Sequence, residues 1–237
     1  MISKTAMLSL VKEHRSKEVR DGLTENPDLI GVRDKRGRTW LHLACGVDIT
    51  KRQAEAVRDS IKLAEILLEQ GLDINDAAFT EKNFRATPLW YAIAFGKNIE
   101  LARFLLTRGS DPNYCMFAAA YNDDAAAIRL LAQNGADIDP EAEGATPLLS
   151  AVQWSRFKAA EELLKRGADP NYQDSKGMTA LHCMLKKSVE KKYVSMFLEY
   201  EAKTDIKNKA GLTAAAIMVR KRDPDFRRML QLDDPKK

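Results

Sequence analysis

The chain has 237 residues, 45% hydrophobic and 30% charged, with 38 Lys and Arg against 34 Asp and Glu for a net charge of +4. That much apolar material builds a continuous core, which excludes a disordered tail, and no stretch is long and apolar enough to span a bilayer. Cys45, Cys115 and Cys183 are scattered and lack any CxxC or Cys/His ligand spacing, so neither a disulfide framework nor a zinc site is expected, and reduced thiols in a cytoplasmic protein are.

The N-terminal MISKTAMLSLVKEHRSK carries an apolar run only from Ala6 to Val11, too short and poorly flanked for a secretory signal. Residues 1–33, with Ala6, Leu8, Leu10, Val11, Val19, Leu23 and Leu29, are predicted to form a capping helical pair. Residues 34–75 contain RGRTWLHLA and EQGLDIN and hold roughly ten extra residues between two predicted helices, lengthening one or both. Residues 76–113 start with AAFTEKNFRAT, a long loop without glycine whose tip is expected to be irregular, followed by TPLWYA and TRGSDPN. Residues 114–139 hold CMFAAAYNDDAAAIRLLA and QNGADID with no loop in front. Residues 140–171 hold EGATPLLSA and KRGADPN, residues 172–207 hold KGMTALHCM and EAKTDIK, and residues 208–232 open with AGLTAAAIM. Asp223-Pro224 is expected to break two helices in this last segment, and the DDPKK tail to fray.

Two landmarks therefore interleave in register. Thr39, Thr87, Thr146, Thr179 and Thr213 each open an apolar helix as cap or first-turn residue, with Pro88 and Pro147 following where a missing N–H costs least. Gly71, Gly109, Gly135 and Gly167 close a second helix, where a left-handed backbone needs no side chain. The last two threonine intervals are 33 and 34 residues. On these motifs the chain resembles the ankyrin repeat family over nearly its whole length. The resemblance implies an all-α solenoid of stacked helix-turn-helix units with β-turn fingers and helical caps at both ends. The segment 114–139 resembles a repeat that has lost its finger.

The resemblance also implies where partners dock. Positions seven and eight after each threonine fall at the end of the first helix, which in the family faces a concave groove. They read Ala94 and Phe95, Tyr121 and Asn122, Gln153 and Trp154, Lys186 and Lys187, and Arg220 and Lys221. Three aromatic rings on successive repeats, continued by a basic strip, point to protein binding with aromatic anchors and an acidic partner segment. Phe84 and Arg85 in the long finger are expected to overhang the aromatic part. Trp40 and Trp90 are assigned to packing, and the acids Asp123, Asp124, Glu161 and Glu162 to solvent-facing positions.

Catalytic motifs are absent: no GxGxxG, Walker sequence, HExxH or EF-hand loop occurs. His42 and His182 occupy the family's TPLH position, where the resemblance implies a structural hydrogen bond between neighbouring turns. The expected function is a non-catalytic, monomeric interaction module acting as inhibitor, immunity or scaffold protein, without cofactor, metal or membrane. One rival is an enzyme or effector with a site in the first-repeat insertion and the long second finger. A second is nucleic-acid binding through the basic C-terminal end, where residues 174–237 hold 15 Lys and Arg against 9 Asp and Glu.

Overall fold

The computed structural model describes residues 2–50, 52, 55–82 and 84–231. The DDPKK tail lies outside them, as do Lys51, Gln53 and Ala54 of the predicted insertion. By backbone contacts the chain falls into two compact units, residues 1–118 with 133–136 and residues 119–132 with 137–237.

The first unit opens with helices α1 (Lys4–Lys12) and α2 (Ser16–Glu25), then a 3-10 turn over Pro27–Gly31. Met7, Val11, Val19 and Leu23 turn inward, as the helical spacing requires. Trp40 starts α3 (Trp40–Cys45) fully inside the core, its indole N–H donating to the Leu29 carbonyl at 2.6 Å. The insertion feeds the next helix: α4 (Glu55–Glu69) has 15 residues, where α6 (Ile99–Thr107) has 9. Between them, β1 (Thr80–Glu81) and β2 (Phe84–Arg85) pair antiparallel, Thr80 opposite Arg85 and Glu81 opposite Phe84. The arms of the finger are therefore regular, while its tip, expected to be irregular, includes Asn83, which lies outside the described residues. Lys82, at φ +52°, takes the left-handed conformation in the turn, and the Ala86 and Ala78 amides extend the ladder to Phe79 and Ala86.

After α5 (Pro88–Tyr91) the chain passes through a π-helical turn over Ala92–Gly96. Its origin is one extra residue. Ser155, Ser188 and Arg222, the left-handed residues that end the corresponding helices, follow Thr146, Thr179 and Thr213 by nine positions, whereas Lys97 follows Thr87 by ten. A single-turn π bulge absorbs the insertion without breaking the helix.

Helix α7 (Met116–Tyr121) crosses from the first unit to the second and begins directly after the buried Cys115, with no finger before it. Then follow α8 (Ala125–Gln133), α9 (Pro147–Gln153), α10 (Phe157–Lys165), α11 (Ala180–Lys187), α12 (Lys191–Glu199), α13 (Ala214–Arg220) and α14 (Pro224–Met229). Within this second unit α9 packs on α10 and α11, and α11 packs on α13. The apolar face of α10 buries Ala159, Ala160, Leu163 and Leu164.

The helix starts follow one local rule. Thr87, Thr146 and Thr213 accept from the amides of Trp90, Leu149 and Ala216, so each hydroxyl satisfies an orphan donor of its first turn. At Thr39 and Thr179 a histidine completes a capping box.

Candidate functional site

The exposed helix ends of the second unit form the candidate site. Tyr121, the last residue of α7, is 55% exposed, and Trp154, the C-cap of α9, is 40% exposed. Their rings meet edge to face at 5.2 Å, the arrangement the aromatic quadrupole favours. The Arg156 guanidinium lies 5.6 Å from the Tyr121 ring centre, a stacking cation that the sequence reading did not single out.

The basic residues continue from that pair, linked helix end to helix end. Lys187, at the end of α11, donates its ammonium to the Gln153 carbonyl beside Trp154. Lys221, the C-cap of α13, donates to Ser188 Oγ at 3.2 Å, beside Lys187. Lys186, Lys187, Arg220 and Lys221 are all exposed, and among the described residues none forms an ion pair. By contrast, Lys191 is held by Asp223 and Asp225 at 2.6 and 2.8 Å. Cys183 lies on the same strip, half-buried, with Gln153, Lys186 and Lys187 around it, and burial pushes its thiol pKa up.

Phe95, Phe84 and Arg85 belong to the first unit. Phe95 is 51% exposed and sits 5.3 Å from Trp90, which in turn meets Phe84 at 5.2 Å. Phe84 also touches the exposed Phe79 of the finger at 5.7 Å. Trp90 therefore packs, as expected, but among rings that remain partly in solvent, and Phe79 is a member the repeat pattern does not reveal. Arg85 turns aside to donate to the Asn75 carbonyl at 3.0 Å. The π turn brings Gly96 so close to the Cys45 carbonyl that an added Cβ would lie 2.2 Å from that oxygen. The Gly96 carbonyl accepts from Ile49 of the insertion at 3.2 Å.

Of the four acids assigned to solvent, Glu161 stays there, paired with Lys165 at 2.6 Å, and the other three are corrected by their partners. Glu162 is 4% exposed and binds Arg129 and Arg166, each at 3.0 Å, and the Arg129 guanidinium holds its carboxyl below the usual range. Asp123 accepts from the Ala159 amide at 2.8 Å and Asp124 from the Ala127 amide at 3.0 Å, so both satisfy helix N-termini. The repeat pattern places these residues on helix faces but does not say what faces them.

The histidines at the two TPLH positions are structural. His42 Nδ1 accepts from the Thr39 amide at 3.2 Å, which leaves Nε2–H to donate to the Asp76 carbonyl at 3.1 Å. His182 repeats this with Thr179 and the Leu212 carbonyl, at 3.2 and 2.9 Å. His14, on the N-terminal pair, donates from Nε2 to the Ala44 carbonyl at 3.0 Å.

A family model described as ankyrin repeats (3 copies) matches residues 8–114 and 111–174. The chain belongs to the ankyrin repeat family. Among curated ankyrin relatives it is similar to human Inversin, 35% identical over 122 residues, and to the phosphocholine transferase AnkX of Legionella pneumophila, 29% identical over 140 residues. The matches cover 51% and 54% of this chain but only 11% and 14% of those proteins. Its fold is that of the ankyrin repeat domain of Bcl-3 (TM-score 0.74, 19% identity, 95% of this chain and 97% of that one). The human ASB11 ankyrin domain is equally similar (TM-score 0.73, 20% identity, both chains covered in full). Ankyrin repeats of this kind are protein-interaction modules, built as an all-α stack of repeated units.

Proposed function

We propose that the protein is a non-catalytic, monomeric, cytoplasmic binding module that captures a partner protein on the exposed ends of its first helices, as an inhibitor, immunity or scaffold protein. The observation that carries this reading is the Tyr121–Trp154 pair, solvent-open and continuous with four cations that lack acidic partners among the described residues. A partner supplies an apolar group to the rings and carboxylates to Lys186, Lys187, Arg220 and Lys221, with Gln153 and Asn122 flanking. The Phe95 cluster, with Phe84 and Arg85, serves as a second contact on the first unit. Three free thiols, two of them fully buried, support the cytoplasmic part of the reading.

The test is capture of partners from native extract by wild type and by Tyr121→Ala with Trp154→Ala, followed by affinity measurement on the protein retained. Truncating two central anchors lowers affinity about thirty-fold or more. An unchanged set of retained proteins would remove the reading.

A further inference from the structure

Where α11 and α12 meet α13 and α14, the second unit leaves a cavity of about 310 Å³. It lies beside a turn that is one residue longer than its equivalents. After the left-handed residue that ends a first helix, a single residue, Asn98, Asp124, Arg156 or Asp223, precedes the second helix. Between α11 and α12 two residues intervene, Val189 and Glu190, and Val189 lines the cavity.

The floor is apolar and the mouth is charged. Met184, Leu185, Val194 and Phe226 line the cavity and are at most 6% exposed, whereas Ser188 and Lys221 line it and face solvent. Lys191 Nζ lies 5.9 Å from the centre of the Phe226 ring and is held by Asp223 and Asp225 at 2.6 and 2.8 Å. Asp225, which is not part of the lining, is shared with Arg228 at 3.4 Å. Lys221 donates to Ser188 Oγ at 3.2 Å and has no acidic partner among the described residues. The lining thus holds two lysines, Lys191 and Lys221, against one aspartate, Asp223, and keeps an excess of one positive charge.

These features define a ligand. Buried apolar walls favour an apolar body, because removing its surface from water drives binding. One uncompensated ammonium favours a single negative charge, and a phosphate monoester, at about −1.5 to −2 near pH 7, carries more than the site balances. The volume is that of about ten water molecules at roughly 30 Å³ each, which suits a compound of about ten non-hydrogen atoms.

We propose that this cavity binds a small monocarboxylate with an aromatic or branched aliphatic body. The body packs on Met184, Leu185, Val194 and Phe226, and the carboxylate meets the Lys221 ammonium at the mouth. Tyr121 and Trp154 do not line the cavity, so the inference stands apart from the partner reading, although Lys221 is common to both.

The test is a titration of the intact protein at low ionic strength, followed by NMR of the methyl groups of Met184, Leu185, Val189 and Val194. The probes are 3-phenylpropanoate, its neutral counterpart 3-phenylpropanamide, and acetate, which is too small to reach the floor from Lys221. Phenylpropanoate is expected to shift the four residues' methyl signals saturably, with a Kd of about 1 mM or below. It binds about two- to five-fold more tightly than the amide, and acetate moves none of the signals. The preference for the acid disappears in Lys221→Gln, an exposed substitution that keeps a donor and removes the charge. Val189→Trp fills the cavity and abolishes binding of both phenyl compounds. Equal binding of acid and amide, a preference that survives Lys221→Gln, binding that persists in Val189→Trp, shifts confined to methyl groups elsewhere, or no saturation below about 10 mM overturns the inference. Binding that requires removal of residues 232–237 also overturns it, and assigns the cavity to the chain's own C-terminal segment.

Discussion

His182 is buried and makes three hydrogen bonds, to the Thr179 amide and hydroxyl and to the Leu212 carbonyl. Replacing it by Ala leaves a cavity and strands a carbonyl, so His182→Ala lowers stability by about 2–4 kcal/mol in urea titrations. Protons act on the first unit. Burial holds His14 and His42 below the usual 6.5, with Arg52 reinforcing and Asp59 opposing the effect at His14, and Arg33 reinforcing and Asp76 opposing it at His42. Once unfolded, both rings take up protons near pH 6.5 while the folded rings resist. Stability is therefore complete above about 6.5 and falls as pH drops below it. Urea midpoints at pH about 7.5 and 5.5 measure the loss, and His14→Asn reduces the difference between them. Glu162 responds at lower pH. The Arg129 guanidinium depresses its pKa from 4.5, so its contribution is present above that value and is lost as pH falls through the folded pKa.

At the scale of one element, the π turn over Ala92–Gly96 is the part of the first unit that presents Phe95. It depends on Gly96, because the Cys45 carbonyl occupies the space a side chain would need. Gly96→Ala forces the two backbones apart and destabilises the unit by about 1–3 kcal/mol in thermal or urea unfolding. The change also shifts the emission of Trp90, whose ring touches Phe95. The finger is a second example of local geometry overriding composition. Its arms pair because Phe79, Phe84 and Trp90 pack on one another, and Lys82 accepts a positive φ that glycine would take more easily.

Across the whole molecule, charge is unevenly used. The lysines of α12 are neutralised by Glu190, Asp223 and Asp225, whereas those at the ends of α11 and α13 are left to solvent and to neutral oxygens. Unneutralised exposed cations act mainly on encounter rates. Lys186→Glu with Lys187→Glu is expected to slow association with the partner about ten-fold at low salt, with little change near 1 M salt, where the Debye length is about 3 Å. Stopped-flow association at several salt concentrations measures this, and an on-rate insensitive to both charge and salt would remove the electrostatic part of the proposal.

The repeated threonines and glycines determined the helix starts and stops, because N-caps and left-handed C-termini are local backbone requirements satisfied by residue type alone. Apolar spacing determined which helix faces turn inward, and the family followed from the two landmarks in register. The same counting identified Phe95, Tyr121 and Trp154 as residues at helix ends. What those side chains touch was decided only by tertiary structure. Nothing near Tyr121 in the sequence announces Arg156, and Glu162 looks like any solvent-facing acid until Arg129 of another helix is set beside it. The π turn was hidden because one extra residue is invisible to a threonine count until the left-handed residues that end the helices are known. Local rules act within about one turn of chain, whereas a ring's partner or a carboxylate's burial depends on residues some 30 positions away.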